Sequence, residues 1–178
     1  MPNKSVDTAL ALVCSTDVCT KINDIRKLYD KAYPRWMPHL NFIFPFVPEE
    51  RFVEIKTELE PVLSGIGQID LFFDKIEHFS QKQNMITVHL SPDKSTLEKL
   101  TNIDNIIKTA MPGIKSQHAH FKPHITLGQF TKSDYEFCKK TELDEWFGSG
   151  IKFSINSLVL LKRYCDTPFC IKEHISLL

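Results

Sequence analysis

Two short phrases carry the chemistry of this chain: Pro38-His39-Leu40-Asn41-Phe42 and Pro123-His124-Ile125-Thr126-Leu127. In each, a histidine is followed two places on by a small hydrogen-bonding side chain, with apolar residues between and after. Strand side chains alternate between faces. As strands, the phrases put His39 beside Asn41 and His124 beside Thr126, and send Leu40, Phe42, Ile125 and Leu127 to the core. An imidazole titrates near neutrality and can take or give a proton. An amide or hydroxyl beside it can donate to a phosphate oxygen. Two such half-sites face to face would form a symmetric acid–base device. One His-x-Thr alone is a weak signal. Here both copies share the proline, which holds the residue before it extended and so fixes the direction of each ring.

The elements that must position these residues also repeat. Thr8 to Val13 reads as a strand. Val18, Ile22, Ile25 and Tyr29 recur at helical spacing, and Pro34 stops that helix. His39 to Val47 is the first motif strand. Pro48-Glu49-Glu50 opens a helix with Phe52, Ile55, Leu59 and Val62 on its apolar stripe, and Pro61 kinks or ends it. Gln68 to Phe79 and Met85 to Leu90 read as strands. Ser95-x-x-Glu98 is a capping box for a helix with Leu97, Leu100 and Ile107 inward, ended by Pro112-Gly113. His124 to Phe130 is the second motif strand, and Ser133-x-x-Glu136 caps the next helix, which stops at Gly148-Ser149-Gly150. Ile151 to Arg163 and Phe169 to Leu177 form a closing hairpin. Strand, helix, Pro-His strand, helix, strand thus occurs twice, with the histidines 85 positions apart (124 − 39). A duplicated α/β unit places its two motif strands near a pseudo-twofold axis, on facing central strands with a cleft between. No low-complexity linker interrupts residues 1–178, which implies one bilobal domain.

The two phrases resemble the signature of the two-histidine (2H) phosphoesterase superfamily, which includes 2′-5′ RNA ligase-like proteins and cyclic nucleotide phosphodiesterases. The flanks are similar too: Trp36-Met37-Pro38-His39 leads into Phe44-Pro45-Phe46-Val47, and Phe121-Lys122-Pro123-His124 into Gly128-Gln129-Phe130. The likeness runs from about Val6 to the C-terminus. It implies an α/β (α+β) fold of two antiparallel-rich sheets facing across a cleft, with helices outside. It also implies His39 and His124 as the catalytic pair, one the acid and the other the base with the order left open, and Asn41 and Thr126 as phosphate-binding residues. Asn41 departs from the usual Thr or Ser.

Other residues carry weaker signals. Trp36 and Phe121 each stand three places before a motif histidine, so they can line the cleft mouth and stack a base, as can Tyr164. Lys122, Lys162 and Arg163 can attract phosphate or be solvated surface charge. Gly128 leaves room for substrate or eases strand packing. His118, His120 and His124 invite a metal reading, but no carboxylate is near and the segment reads as a loop. His78, His89 and His174 read as strand residues without chemistry. Of five cysteines, Cys14/Cys19 and Cys165/Cys170 share a spacing that allows a regulatory disulfide, while free thiols are the plainer reading.

Composition narrows the partners. Lys plus Arg and Asp plus Glu both number 22, for zero formal net charge. That opposes a broad grip on long nucleic acid, which needs a basic stripe, but permits a pocket for one phosphate or one RNA end. The N-terminus lacks a secretory apolar region and no apolar run is long enough to span a bilayer, so a monomer in the cytoplasm or nucleus is expected, without membrane partner, metal or cofactor. The expected activity is metal-independent phosphodiester cleavage, foremost the opening of 2′,3′-cyclic phosphates. A 2′-5′ oligonucleotide phosphodiesterase, an RNA ligase-like activity and a nucleotide- or RNA-binding module with a decayed site are the alternatives.

Overall fold

A computed structural model describes residues 4–114, 120–138 and 142–178. Thr-Ala-Leu-Ala-Leu-Val, β1 (Thr8–Val13), is apolar on both faces and buried on both. Leu10 and Leu12 enter the large core, while Ala9 and Ala11 face a smaller cluster with Trp36, Val159, Leu161 and Phe169. Helix α1 (Thr16–Tyr29) follows and buries Val18, Ile22 and Ile25. Strand β2 (His39–Ile43) pairs antiparallel with β1, Val13 opposite His39 and Ala11 opposite Asn41. It ends four residues short of Val47, because Pro45 has no N–H for the ladder.

A 3-10 turn (Glu49–Arg51) leads into α2 (Phe52–Leu63), which buries Phe52, Ile55, Leu59 and Leu63 and ends just past Pro61. Val62, expected on the apolar stripe, is exposed, and Leu63 takes the inward position. Next come β3 (Ile69–Ser80), β4 (Met85–Pro92) and α3 (Lys94–Ala110). The cap of α3 is Asp93, whose carboxylate accepts from the Thr96 N–H, and not the expected Ser95 box. Leu97 is exposed, and Ile103 joins Leu100 and Ile107 on the buried face, since the three lie within about one-sixth of a turn and Leu97 falls to their side. Strand β5 (Ile125–Thr131) runs into α4 (Lys132–Cys138), where the Thr131 hydroxyl, not Ser133, accepts from the Asp134 N–H. Then follow α5 (Asp144–Phe147), β6 (Ile151–Ile155), β7 (Ser157–Lys162) and β8 (Cys170–Ser176).

Two four-stranded antiparallel sheets result, ordered β2-β1-β7-β8 and β5-β4-β3-β6. The expected bilobal α/β architecture is present. The motif strands are not central in their sheets. Each is an edge strand, and the two edges meet in the middle of the molecule. The run Ile151 to Arg163 is also not one strand. It breaks at Asn156, so that β6 pairs with β3 while β7 crosses to β1 and forms the hairpin with β8. Each repeat therefore lends a strand: β3, which closes the first repeat, belongs to the second sheet, and β7 returns to the first.

Helix α1 packs against β5 of the other sheet and ties the lobes together. Gly128 permits this approach, since a Cβ there would lie 2.9 Å from backbone and Cβ atoms of Tyr29. Close packing is its role, rather than room for substrate. The cysteines are all free thiols. Among the described residues, no helix is long and apolar enough to cross a membrane.

Candidate active site

A cavity of about 540 Å³ opens between the two motif strands. His39, Asn41, His124 and Thr126 line it together, with Phe42, Phe44, Phe79, His120, Phe121 and Lys122 around them. The sequence expectation that the two phrases share one cleft is thus met in space.

Both histidines are held in the same way. His39 Nδ1 lies 2.6 Å from the carbonyl oxygen of Met37, and His124 Nδ1 lies 2.7 Å from that of Lys122. A carbonyl only accepts, so each Nδ1 carries a proton and donates it. In both cases the accepting residue immediately precedes the proline. Pro38 and Pro123 keep those residues extended, which turns their carbonyls back toward the rings. The tautomer is therefore fixed by the local X-Pro-His sequence, and in the neutral ring the lone pair sits on the other nitrogen, Nε2.

The two half-sites differ in their surroundings. His39 stacks on Trp36 (centroids 4.4 Å apart), and Trp36 stacks on Phe169 (3.7 Å). Burial disfavours the charged ring and pulls the His39 pKa down to about 4. Arg26 and the facing His124 act in the same sense, while the Met37 carbonyl and Asp30 oppose it. Arg26 and Asp30 form a buried ion pair, Nε to Oδ2 2.7 Å, at the end of α1. The other Asp30 oxygen accepts from the Ala32 N–H and so fixes the turn that delivers Trp36. Asn41 sends its Nδ2 to His39 Nε2 at 3.1 Å, while its Oδ1 is buried without a partner.

On the opposite wall, His124 meets Phe79 and His89 edge-on (centroids 5.1 and 5.0 Å). His89 is 3% exposed, lies opposite Thr126 in the β4–β5 register, and stacks on Phe79 at 4.1 Å. Burial lowers its pKa to about 4 as well. His89, read from sequence as a strand residue without chemistry, in fact packs directly behind the site. Only the strand register brings it there, and register between strands is not a local property of the sequence. Phe79 escaped the sequence reading for the same reason, since it reaches His89 and His124 only through the β3–β4 register.

The aromatic expectations divide. Phe121 lines the cavity and stacks on Phe42 at 5.4 Å, bridging the lobes. Trp36 does not reach the cavity. It is buried between His39 and Phe169, because Ala9 and Ala11 leave room for the indole on that face of the sheet. Tyr164 is also outside the cavity: it is exposed, donates to Glu49 at 2.6 Å and lies under Lys162 and Lys172. Arg163 pairs with Asp7, so of the three basic candidates only Lys122 lines the cavity. His120 is exposed on the rim, and His118 falls outside the described residues. Among the described residues, no group of three or more metal-ligating side chains forms. His78 and His174 are strand residues away from the cavity.

A family model described as the 2′-5′ RNA ligase superfamily matches residues 15–167. A Staphylococcus haemolyticus protein, provisionally named a phosphoesterase, is 28% identical over 158 residues, 88% of this chain and 90% of its own length. A similarly named Geobacillus protein is 31% identical over 121 residues, 67% of each chain. In fold, the chain is similar to E. coli LigT complexed with 3′-AMP (TM-score 0.63, 11% identity, 96% and 97% of the two chains). It is also similar to Kluyveromyces marxianus Usb1 with uridine monophosphate (TM-score 0.55, 9% identity, 97% and 99%). The chain belongs to the 2′-5′ RNA ligase superfamily and is a two-histidine phosphoesterase.

Proposed function

We propose that this enzyme cleaves nucleotide phosphodiesters without a metal, foremost by opening 2′,3′-cyclic phosphates at a mononucleotide or an RNA end. The observation that carries the reading is the matched pair of Nδ1–H to carbonyl bonds on two histidines that line one cavity. His39, kept neutral by burial, is the base. Its Nε2 takes a proton from water as the water oxygen attacks phosphorus. The bond from phosphorus to the ribose 3′ oxygen breaks, and His124, protonated, gives its Nε2 proton to that oxygen. The product is a 2′-phosphate with a free 3′ hydroxyl, the outcome that the family resemblance implies.

Thr126, on the His124 wall, donates to a non-bridging oxygen, where charge grows in the transition state. Asn41 supplies the matching donor from the other wall through the N–H of its amide that does not face His39. Phe121 offers its face to the base, and Lys122 attracts the phosphate. LigT and Usb1 are recorded with nucleotides, which supports a nucleotide as the group held here.

A panel of 2′,3′-cyclic mononucleotides, 2′-5′ oligoadenylate and RNA with a cyclic end, each run with EDTA, tests the proposal. Ring opening that survives chelation is the expected result. Cleavage of only the 2′-5′ oligonucleotide would move the substrate to that class. Ligands bound and returned unchanged would make the protein a binding module. Activity lost in EDTA and restored by zinc would overturn the metal-free mechanism.

A further inference from the structure

The two histidines are held by matched Nδ1–H to carbonyl bonds, but the second motif position differs: Thr126 lines the cavity in one half-site and Asn41 in the other. The difference has a consequence for the proton. With Nδ1–H given to Met37, neutral His39 presents a bare lone pair at Nε2, and the amide nitrogen of Asn41 donates to it. The roles of the amide atoms follow from the network, since the Met37 carbonyl leaves no other neutral tautomer. Once Nε2 gains a proton, that arrangement fails, because an N–H would face an NH₂. A half-turn of the carboxamide repairs it. The buried Oδ1, which has no partner beside the neutral ring, then accepts from Nε2–H.

We infer that Asn41 is a positioning residue whose carboxamide turns over with the charge on His39, donating to the neutral ring and accepting from the charged one. A hydroxyl such as that of Thr126 can serve either state by rotating its hydrogen alone. An amide must exchange two heavy atoms, so proton uptake by His39 is coupled to a side-chain movement that the other half-site does not need. The inference deepens the assignment of His39 as base and rests on it for the effect on turnover. Arg26 and Asp30 face His39 from the end of α1, and His124 faces it from the other wall, where His120 and Lys122 also line the cavity. Arg26 and His124 oppose a charge on the ring, and Asp30 favours it.

Nuclear magnetic resonance on the whole, substrate-free chain tests this apart from activity. Ring nitrogens of the histidines and side-chain amide signals are followed together as the pH is lowered through the titration of His39. The Asn41 amide signals should move with the His39 midpoint and not with that of His124. Asn41→Asp, a permanent acceptor, should raise the His39 midpoint by about one pH unit or more, a tenfold gain in proton affinity. Asn41→Thr should leave it within about half a unit of the wild type, since the hydroxyl serves both states. Asn41→Leu should shift the His39 midpoint and lower kcat by about tenfold or more, beyond the loss of its one hydrogen bond to phosphate. Amide signals that stay still through the His39 titration, or a midpoint unmoved by Asn41→Asp, would overturn the inference. So would an Asn41→Leu enzyme that loses phosphate affinity while its His39 titration is unchanged, because Asn41 would then be a phosphate donor only. If the wild type turns over no phosphodiester, the proposed function fails, and the spectra still decide whether the amide follows the ring.

Discussion

His89 lies edge-on to His124, ring centroids 5.0 Å apart, with Phe79 stacked against its face. It is a buried, neutral imidazole whose pKa of about 4 is below the ordinary 6.5. The unfolded chain therefore takes up its proton first. The contribution of His89 to stability is complete above pH 6.5 and is lost as the pH falls from 6.5 toward 4, by roughly 3 kcal/mol at most. His39, lowered to the same value, acts in the same window. Urea unfolding midpoints should drop across this range in the wild type. The drop should be smaller in His89→Phe, which keeps a ring against Phe79. An equal drop in both proteins would show that His89 is not held neutral.

Turnover should depend on the two motif histidines as a unit. His39→Ala and His124→Ala should each lower kcat by about 10²–10⁴-fold. The double variant should be little worse than the worse single one, because both rings act in one step. The acidic limb of kcat/KM should reflect a base titrating near 4 in the free enzyme, as the burial of His39 requires. Near-normal turnover in either single variant would exclude the mechanism.

Trp36 and Phe121 stand at the same offset from their histidines and should behave differently. Trp36 is buried behind His39, so Trp36→Ala should destabilise the fold by about 3–5 kcal/mol, read as a lower unfolding midpoint. Phe121 lines the cavity, so Phe121→Leu should mainly raise KM for nucleotides, by up to the roughly 1–3 kcal/mol of one stacked base. A Phe121→Leu enzyme with unchanged KM for every nucleotide would remove this residue from the substrate contacts.

Gly128→Ala should destabilise by about 1–3 kcal/mol, because its methyl group would collide with the backbone of Tyr29. Thermal unfolding measures this directly. An unchanged melting temperature would mean that α1 can move away from β5 at no cost.

The sequence showed the motif pair and the repeated order of elements because both are local patterns: alternation, helical spacing, and Pro before His. It did not show which sheet each strand joins. Ile151 to Arg163 reads as one apolar run, yet Asn156 divides it between two sheets. Trp36 and Phe121 look equivalent along the chain, and only the small side chains of Ala9 and Ala11 across the sheet draw the indole inward. The side chains that cap α3 and α4 stand two residues before the expected serines, because Asp93 and Thr131 already accept from the Thr96 and Asp134 N–H groups. Both histidines were legible, while the place of His89 beside His124 depends on a contact far apart in sequence.

The lending of β7 to the first sheet also sets an order of assembly. The sheet that carries the His124 strand is complete once Ile155 has been made. The sheet that carries His39 cannot close until Ser157–Lys162 arrives to pair with β1, Leu160 opposite Leu10. The His39 strand can pair with β1 early, but the other edge of β1 stays open until β7 is made. A copy that stops before Ser157 carries both motifs but leaves the first sheet with β1 unpaired on one edge.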